Sequence, residues 1–556
     1  MNRKTPILRH IVPVLLAVVL TLGTMQMPIK AEAAGGSGTR AAVSTNDITV
    51  KAAVNDDTWL DNTAYYDTSW YNAGATDYHI ATAEQLAGLS KLSYDGNTFK
   101  NKNIYIDRDI DLSAHYWVPI RYMSASLFDG QGNAITGLRL NDTKLGKYLT
   151  QLDTPLWSYA SQLGSLGFIN EYNSMWWLED GTEVWDEVTF STIKNLNFID
   201  ASMYTSSQNN NAVLIACGTH LKIEGCSVND SEISAGGSPY SSRNMSLFTV
   251  SFIWGTADYP YDKGKTMGDI RDCHTNGSSI YMRDFDLRKN GIAQFTQGMI
   301  FGYLAGGGGN LSVLNIHNSS AKNGGIYYQN IQIGGDDGKG DGMCVSGCIA
   351  GNEGNSLVNM YGCEADVDYV MDNVKKIGLS YYLGGIGGKV NEIQNSIHKG
   401  RFEITNITAD GGGGNIGGVV GKSTSDVTNT ANTGDIIVDN LQDVDGNSLL
   451  SNMNVGGFCG LLASNSGTGQ PYTIQNCYNL GRVSCETPNA GDKKGGFVGI
   501  VSGNIGELIF KNSFALNCYK DVGTYQNEIA TTYEPAITLA QIEENGAAKT
   551  VIQTGD

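Results

Sequence analysis

The chain has 556 residues, a formal net charge of −19 and 41% hydrophobic residues. Its 70 glycines follow no Gly-X-Y period, which excludes collagen and favours a turn-rich β structure. The strong negative charge argues against nucleic acid or an anionic membrane as a partner. The length suits either several globular domains or one solenoid.

The N-terminus has the pattern of a secretory signal. Three basic residues within the first nine precede an apolar core over residues 11–23, which is too short to span a bilayer. Ala31 and Ala33 form a small-x-small cleavage site. We therefore predict a signal peptide over residues 1–33, then a polar linker over residues 34–58. A secreted or cell-surface location without a membrane span in the mature chain would follow; the alternative is a membrane anchor.

Residues 59–122 are predicted to cap the N-terminal end of the fold. Aromatic side chains are dense over residues 59–78, where they indicate packing of a cap or, alternatively, a ligand surface. Thr82 and Gln85 have the spacing of a capping box, and leucines at helical spacing follow. We expect a helix over residues 83–93 that covers the open end of a stacked fold.

Two short patterns recur within residues 123–520, the first from residue 384 and the second from residue 135. The first is a glycine-bracketed apolar cluster that begins at Gly384, Gly417, Gly456 and Gly495. The second has an apolar first residue, Asn, Asp or Gly third, and Leu, Cys, Ser or Thr fourth. Its ten copies begin at Ile135, Ile193, Ile223, Ile270, Ile316, Met360, Ile393, Val427, Ile474 and Phe510. Their intervals of 30 to 58 residues indicate a stacked architecture with loops of varying length.

The second pattern predicts a corner in the chain. A spacing of three cannot place both inward residues on one face of a flat strand, because side chains alternate with a period of two. A bend at the third residue restores the alignment, and Asn, Asp and Gly tolerate the left-handed conformation that such a bend requires. We therefore predict an all-β fold, a parallel β-helix of three-sided coils with short helical caps and irregular loop insertions. A β-propeller is the alternative, but its blades would be more uniform in length.

These residues resemble the GLUG repeats of bacterial secreted and cell-surface proteins, in which a glycine cluster is also followed by an Ile-x-Asn corner. The similarity is good over residues 384–517 and looser back to residue 135. It implies a right-handed β-helix and an extracellular setting, but no particular activity. The second cluster residue is Gly in this chain, whereas the family pattern has Leu.

Ten cysteines in an exported chain would ordinarily suggest disulfides. Cys226, Cys273, Cys363 and Cys477 occupy the fourth position of the corner pattern. Other copies have Ser, Thr or Leu there, so we expect these cysteines to be buried, reduced thiols that behave as small hydrophobes.

Two aromatic segments interrupt the repeats, residues 148–187 and residues 238–265. The first contains Trp176, Trp177 and Trp185 among acidic residues. Insertions in repeat proteins often form the binding face, so we predict a glycan platform at these tryptophans. The alternative is that they pack the insertion against the side of the solenoid.

An acidic, glycine-rich loop over residues 334–342 contains Asp337 and Asp341, which could ligate calcium. Their spacing is not that of an EF-hand, and a plain turn is the alternative. Calcium is the only cofactor that the sequence suggests. Cys344 and Cys348 have no second pair of ligands at a suitable spacing, so we expect no metal there.

Residues 521–556 contain a capping box at Thr538 and are predicted to close the C-terminal end. No His-Glu-x-x-His, Gly-x-Ser-x-Gly or Walker motif is present in the sequence. We expect a non-catalytic, monomeric extracellular solenoid that serves as an adhesin, a spacer or a glycan-binding scaffold. Its partner would be an extracellular glycan, or a host or cell-surface protein.

The alternative is a β-helical polysaccharide lyase or glycoside hydrolase. Such an enzyme needs paired carboxylates, or calcium with a basic residue, on the outer face of adjacent coils. The second corner residue is predicted to point outward. Glu224 beside Arg271 is the oppositely charged neighbour pair among these positions, and an ordinary surface ion pair would explain it.

Overall fold

A computed structural model describes much of the chain between residues 51 and 534. The described residues are 51–149, 164–172, 190–218, 220–236, 242–252, 266–286, 294–304, 313–333, 343–352, 357–376, 379–409, 412–463, 469–485, 494–503, 505–515, 522–525 and 530–534. The predicted signal peptide, most of the predicted linker and the capping box at Thr538 lie outside these residues.

The described strands stack into a parallel β-helix, as the corner pattern predicts. One coil runs from Ser191–Lys194 through Asn197–Ile199 and Ser202–Thr205 to Asn210–Gly218. The next coil begins at Leu221–Glu224, which pairs in parallel with Ser191–Lys194. Each coil therefore contributes strands to the same sheets in the same order, and each sheet extends along the axis of the solenoid.

Sheet I forms one side and, among the described residues, has 13 strands. They are Asp77–Ile80, Asn103–Ile106, Leu127–Asp129, Ser191–Lys194, Leu221–Glu224, Thr266–Arg271, Val313–His317, Leu357–Tyr361, Glu392–Gln394, Val427–Thr428, Pro471–Gln475, Glu507–Lys511 and Ala530–Glu534. Sheet II follows the first corner and has 18 described strands, usually two per coil. They are Ile110–Asp111, Ala134–Thr136, Arg139–Asn141, Asn197–Ile199, Ser202–Thr205, Ser227–Asn229, Glu232–Ala235, His274–Asn276, Ser279–Asp286, Ser320–Ile333, Glu364–Lys376, Ile397–His398, Phe402–Ala409, Ala431–Asn432, Ile436–Gln442, Tyr478–Asn479, Val483–Ser484 and Phe514–Ala515.

Sheets III and IV form the remaining side, with 11 and five described strands. Sheet III contains Ser165–Tyr172, Asn210–Gly218, Ser242–Ser246, Thr249–Phe252, Gln294–Gln297, Phe301–Leu304, Met343–Gly347, Leu379–Gly384, Gly412–Gly417, Met453–Gly456 and Lys494–Gly495. Sheet IV contains Gly387–Val390, Val420–Ser423, Cys459–Ala463, Val498–Ser502 and Val522–Tyr525. Several of these strands lie inside segments predicted as insertions or as the closing cap, so the coils take in part of those segments.

The predicted corner has the expected backbone. At all ten copies the third residue has a positive φ, from 45° at Asn512 to 68° at Gly362. The first and fourth residues of every copy are at most 1% exposed. In nine copies the first residues are register partners along sheet I, as in Ile474 with Phe510. Because of this bend, the side chains of two residues that are three positions apart both point into the core.

The copy at Ile135 has the same geometry but a different place, and here the prediction of ten equivalent copies is wrong. Ile135 pairs with Ile110 and Phe198 in sheet II. The sheet I partner of Ile193 in that coil is Phe128. The pattern specifies a left-handed bend between two buried residues, and the second corner of a coil needs the same bend.

The predicted N-terminal helix is present. The helix spans Ala83–Tyr94, one residue longer than expected, and the Thr82 hydroxyl accepts a hydrogen bond from the Gln85 amide at 3.2 Å. Ser90 on its buried side donates to the Val118 carbonyl at 2.8 Å. Tyr65, Tyr66, Trp70 and Tyr71 are partly buried against the core. That residues 59–122 cap the end of the fold stays a prediction. Short 3-10 turns occupy Asp142–Lys144 and Leu450–Asn452. Within the described residues, no helix is both long and apolar enough to cross a membrane.

The four corner cysteines are buried, as the pattern predicts. Of the ten, nine lie in the described residues, and each is a buried free thiol. The fourth corner position also links adjacent coils, because Ser513 Oγ accepts from the backbone N–H of Cys477 at 3.1 Å. Ser513 Oγ also donates to the Lys511 carbonyl at 2.9 Å. Cysteine, serine or threonine occupies eight of the nine positions in this column, because thiols and hydroxyls are both small and both can satisfy the corner backbone.

A buried polar column accounts for the second glycine of the clusters. His398, Asn432 and Asn479 are register partners on three successive coils and are fully buried. His398 Nδ1 lies 2.7 Å from Asn432 Oδ1, and Asn432 Nδ2 donates to Asn479 Oδ1 at 2.9 Å. The second glycines of the clusters face this column, and a Cβ there would lie within 2.4 Å of its side chains at Gly385, Gly418 and Gly457. A leucine at the second cluster position would collide with the column, so glycine is required there.

The inward and outward assignment predicts a sharp contrast between two nearby substitutions. Cys477→Asp should lower the free energy of unfolding by about 3 kcal/mol or more, because it buries an unpaired charge. Gln475→Asp, on the partly exposed side of the same strand, should change it by less than about 0.5 kcal/mol. Urea unfolding of both variants measures the difference, and equal losses would refute the assignment.

His398 predicts a specific loss of stability in acid. Burial lowers its pKa from 6.5 to about 4. Between these values the unfolded chain binds a proton that the folded chain does not, so stability falls as the pH drops from 6.5 toward 4. The loss is on the order of 3 kcal/mol at about 1.4 kcal/mol per pH unit.

The matched variant is His398→Asn, because the next two coils carry asparagine at this position. Thermal unfolding of both proteins between pH 4 and 7 should show a steeper pH dependence for the wild type. Parallel curves for the two proteins would contradict the assigned burial of the imidazole.

Candidate functional site: the outer face of sheet I

The tryptophans predicted to form a glycan platform, Trp176, Trp177 and Trp185, lie outside the described residues. The same holds for the predicted calcium ligands Asp337 and Asp341. Both hypotheses therefore stay predictions. Within the described residues, no group of three or more His, Cys, Asp or Glu side chains is placed to hold a metal ion.

The second corner residues form a continuous column on the outer face of sheet I. Register pairing aligns Lys194, Glu224, Arg271, His317, Tyr361, Gln394, Thr428, Gln475 and Lys511. None of these nine side chains is buried, which confirms that the position points outward. Thr136, the tenth predicted member, lies in sheet II. The column continues toward the N-terminal end through Asp129, Tyr105 and His79.

The centre of this face carries a connected group of polar side chains, which we refer to as the sheet I cluster: Asp269, Arg271, His317, Tyr361 and Glu392. Arg271 donates from Nε and Nη2 to the two carboxylate oxygens of Asp269, each at 2.7 Å. The rings of His317 and Tyr361 are stacked, with centroids 4.9 Å apart and planes 17° apart. The Tyr361 hydroxyl donates to Glu392 Oε2 at 2.9 Å.

The sheet I cluster owes its position to strand register. Arg271, His317 and Tyr361 are consecutive members of the outward column, so they are spaced by about 4.8 Å along the axis. Asp269 and Glu392 lie in the neighbouring outward column, since side chains two apart in a strand share a face. Every one of these side chains is thus presented by a rigid strand and not by a loop.

The electrostatics of the cluster fix its protonation at neutral pH. Burial and the neighbouring Arg271 charge both lower the pKa of His317, so its imidazole is neutral. Burial, together with the hydrogen bond to Glu392, raises the pKa of Tyr361 to about 12, so its hydroxyl remains a donor. The hydrogen bonds to Asp269 raise the pKa of Arg271 above its usual value. The face therefore offers a neutral ring pair between two carboxylates.

An amide ladder lies beside the ring pair. Asn359 Nδ2 donates to Asn315 Oδ1 at 3.1 Å, and Asn391 Nδ2 donates to Asn359 Oδ1 at 2.8 Å. Glu392 also accepts a hydrogen bond from the Gln394 amide. These contacts hold the polar groups in one orientation before any ligand arrives, which reduces the entropy lost on binding.

The sequence indicated part of this arrangement and missed the rest. The outward column was predicted, and so was Arg271 as a paired cation, but the predicted partner was Glu224. In the structure, Arg271 instead forms its ion pair with Asp269 in the same strand. The signal was present in the sequence, because residues two apart in a strand share a face, and Asp269 is two residues before Arg271. The His317–Tyr361 stack could not be found without the register.

Comparison with known proteins yields no relative: no protein-family model, curated protein or solved structure matches this chain.

Proposed function

We propose that this protein is a non-catalytic extracellular β-solenoid that binds glycan and serves as an adhesin, a spacer or a scaffold. The observation that carries the proposal is the sheet I cluster, a ring pair set between fixed carboxylates on a flat outward face. Aromatic rings pack against the C–H faces of sugars, and carboxylates accept hydrogen bonds from sugar hydroxyls. Repetition of the coil extends the same outward column on both sides of the cluster, which suits an elongated glycan.

The proposal also includes secretion of the chain and its relation to GLUG-repeat proteins. The basic N-terminal segment and the short apolar core over residues 11–23 support secretion or display at the cell surface. The glycine clusters and the Ile-x-Asn corners support kinship with GLUG-repeat proteins. The parallel β-helix is compatible with that kinship.

Glycan binding tests the proposal with paired variants. The double substitution His317→Ala and Tyr361→Ala should weaken binding of any glycan retained by the wild type at least about tenfold, because each lost ring contact contributes about 1 kcal/mol. The melting temperature should change little, since both side chains are partly exposed. Gln475→Ala, in the same column but without an aromatic ring, should bind like the wild type.

A second double variant shows whether the glycan binds at the sheet I cluster or at the predicted tryptophan platform. If replacing Trp176 and Trp177 by Ala abolishes binding while the His317 and Tyr361 variant binds normally, the sheet I cluster is not the glycan site. A glycan array with no hits for the wild type would contradict glycan binding altogether.

A β-helical polysaccharide lyase or glycoside hydrolase is the second candidate, and one observation favours it. Glu224 and Asp269 lie on adjacent coils of the outward face, beside Arg271 and the neutral His317. Against it, both oxygens of Asp269 are held by Arg271. Asp269 and Glu392 lie three coils apart, about 14 Å, whereas the carboxyl pairs of glycosidases lie within about 9.5 Å.

The enzymatic candidate has its own assay. Reducing-sugar release and formation of unsaturated product should both be absent over the polysaccharides that the protein binds. Activity that disappears in Glu224→Gln or His317→Ala, with binding retained, would establish the enzyme instead.

A further inference from the structure

Four side chains on sheets III and IV form a second group of polar and aromatic residues, away from the sheet I cluster. Tyr382, Asn415 and Asn454 are register partners on three successive strands of sheet III. The Lys422 ammonium, from a strand of sheet IV, lies over the Tyr382 ring, 5.7 Å from its centroid. All four residues are partly exposed. We refer to them as the Lys422 site.

Lys422 differs from the basic residues of this chain that form ion pairs, as Lys194 does with Asp129 and Lys399 does with Glu364. Within the described part of the chain, no carboxylate forms an ion pair with Lys422. Burial lowers its pKa, and the one neighbouring group that acts in the other direction is the Cys459 thiol. Lys422 is thus a half-buried ammonium without a counter-ion, in a chain with a net charge of −19. A bound anion would offset the free energy that this charge loses through desolvation.

One amide oxygen of the ladder at the Lys422 site lacks a hydrogen-bond donor. Asn454 Nδ2 donates to Asn415 Oδ1 at 3.0 Å, and Asn415 Nδ2 donates to the Tyr381 carbonyl at 3.4 Å. Both amide N–H groups therefore point down the ladder. Asn454 Oδ1 is buried and has no hydrogen-bond partner among the described residues. Leaving such an acceptor unpaired costs free energy that a hydroxyl donor would recover.

These unmet groups specify a ligand with three features. It needs an anion for Lys422, a hydroxyl donor for Asn454 Oδ1, and a ring whose C–H face can lie near Tyr382. Tyr382 and Asn454 are two coils apart, about 10 Å, which is the reach of a short oligosaccharide. We propose that the Lys422 site binds a uronic-acid-containing oligosaccharide through the carboxylate of one sugar and a hydroxyl of its neighbour.

The site is independent of the glycan face on sheet I, so the two proposals can fail separately. Trigalacturonate is the probe, its methyl ester is the neutral control with the same rings, and inorganic phosphate is the control for a bare anion. Isothermal titration calorimetry on the wild type should show saturable binding of trigalacturonate. The methyl ester should bind at least about tenfold more weakly, because a hydrogen bond to a charged group contributes about 1.5 to 3 kcal/mol.

Variants locate the binding. Lys422→Met should weaken trigalacturonate binding at least about tenfold without lowering the melting temperature, since it removes a half-buried charge. Lys422→Arg should retain most of the affinity. Lys194→Met, which removes the same charge from sheet I, should bind like the wild type.

Four results would each overturn the proposal. One is the absence of saturable trigalacturonate binding to the wild type. Another is equal binding of trigalacturonate and its methyl ester, and a third is equal affinity in Lys422→Met. The fourth is displacement of trigalacturonate by phosphate at equal concentration, which would reduce the site to an unspecific anion contact.

Discussion

The structure depends on one constraint, a single left-handed residue between two side chains that must both point into the core. At the sheet I corner this residue is Asn in six of the nine stacked copies, and Asp or Gly in the other three. The left-handed conformation costs an ordinary residue about 1–2 kcal/mol, and these residues reduce that cost. Because the bend recurs at the same point in each coil, the nine sheet I strands that end at this corner pair in the same register.

Asparagine adds a second contribution at this corner. Asn429, Asn476 and Asn512 donate along the stack, each to the amide oxygen of the preceding coil, at 3.0, 2.8 and 2.9 Å. The ladder starts at Asn395. Glycine copies, such as that at Gly362, provide the backbone conformation without the side-chain link. The corner therefore couples a local backbone preference to contacts between coils, and the regular stack follows from both.

Register then decides what the surface presents. The neighbours of a residue beside a corner are set by the stacking, since they are the equivalent residues one coil away. This is how His317 comes to stack on Tyr361, from strands 44 residues apart in the sequence. The same rule places the amide of Asn454 beside Asn415. Both candidate binding surfaces are thus products of stacking and would not exist in a single coil.

The fold was predictable from the sequence because the corner is a local signal. Ile474, Asn476 and Cys477 each carry one requirement of the bend, and together they predict inward and outward positions that the structure confirms. The sheet to which a copy belongs was not predictable, since Ile135 and Ile193 meet the same local requirements at different corners. The buried polar column that contains His398 was not predictable either. The cluster glycines that face it are equally well explained by a backbone requirement for glycine. The partner of Arg271 could have been found from strand parity alone, whereas the ring pair of the sheet I cluster required the register.

The most direct test of this account replaces Asn476, in the middle of the amide ladder, by Gly, Ala and Val. Unfolding free energies should fall in that order. Asn476→Gly keeps the left-handed backbone and loses the ladder contacts at a cost of about 1 kcal/mol. Asn476→Val should cost at least about 2 kcal/mol more than Gly, since a β-branched residue is strongly disfavoured at positive φ. Equal stabilities for the Gly and Val variants would contradict the claim that the left-handed corner determines the coil.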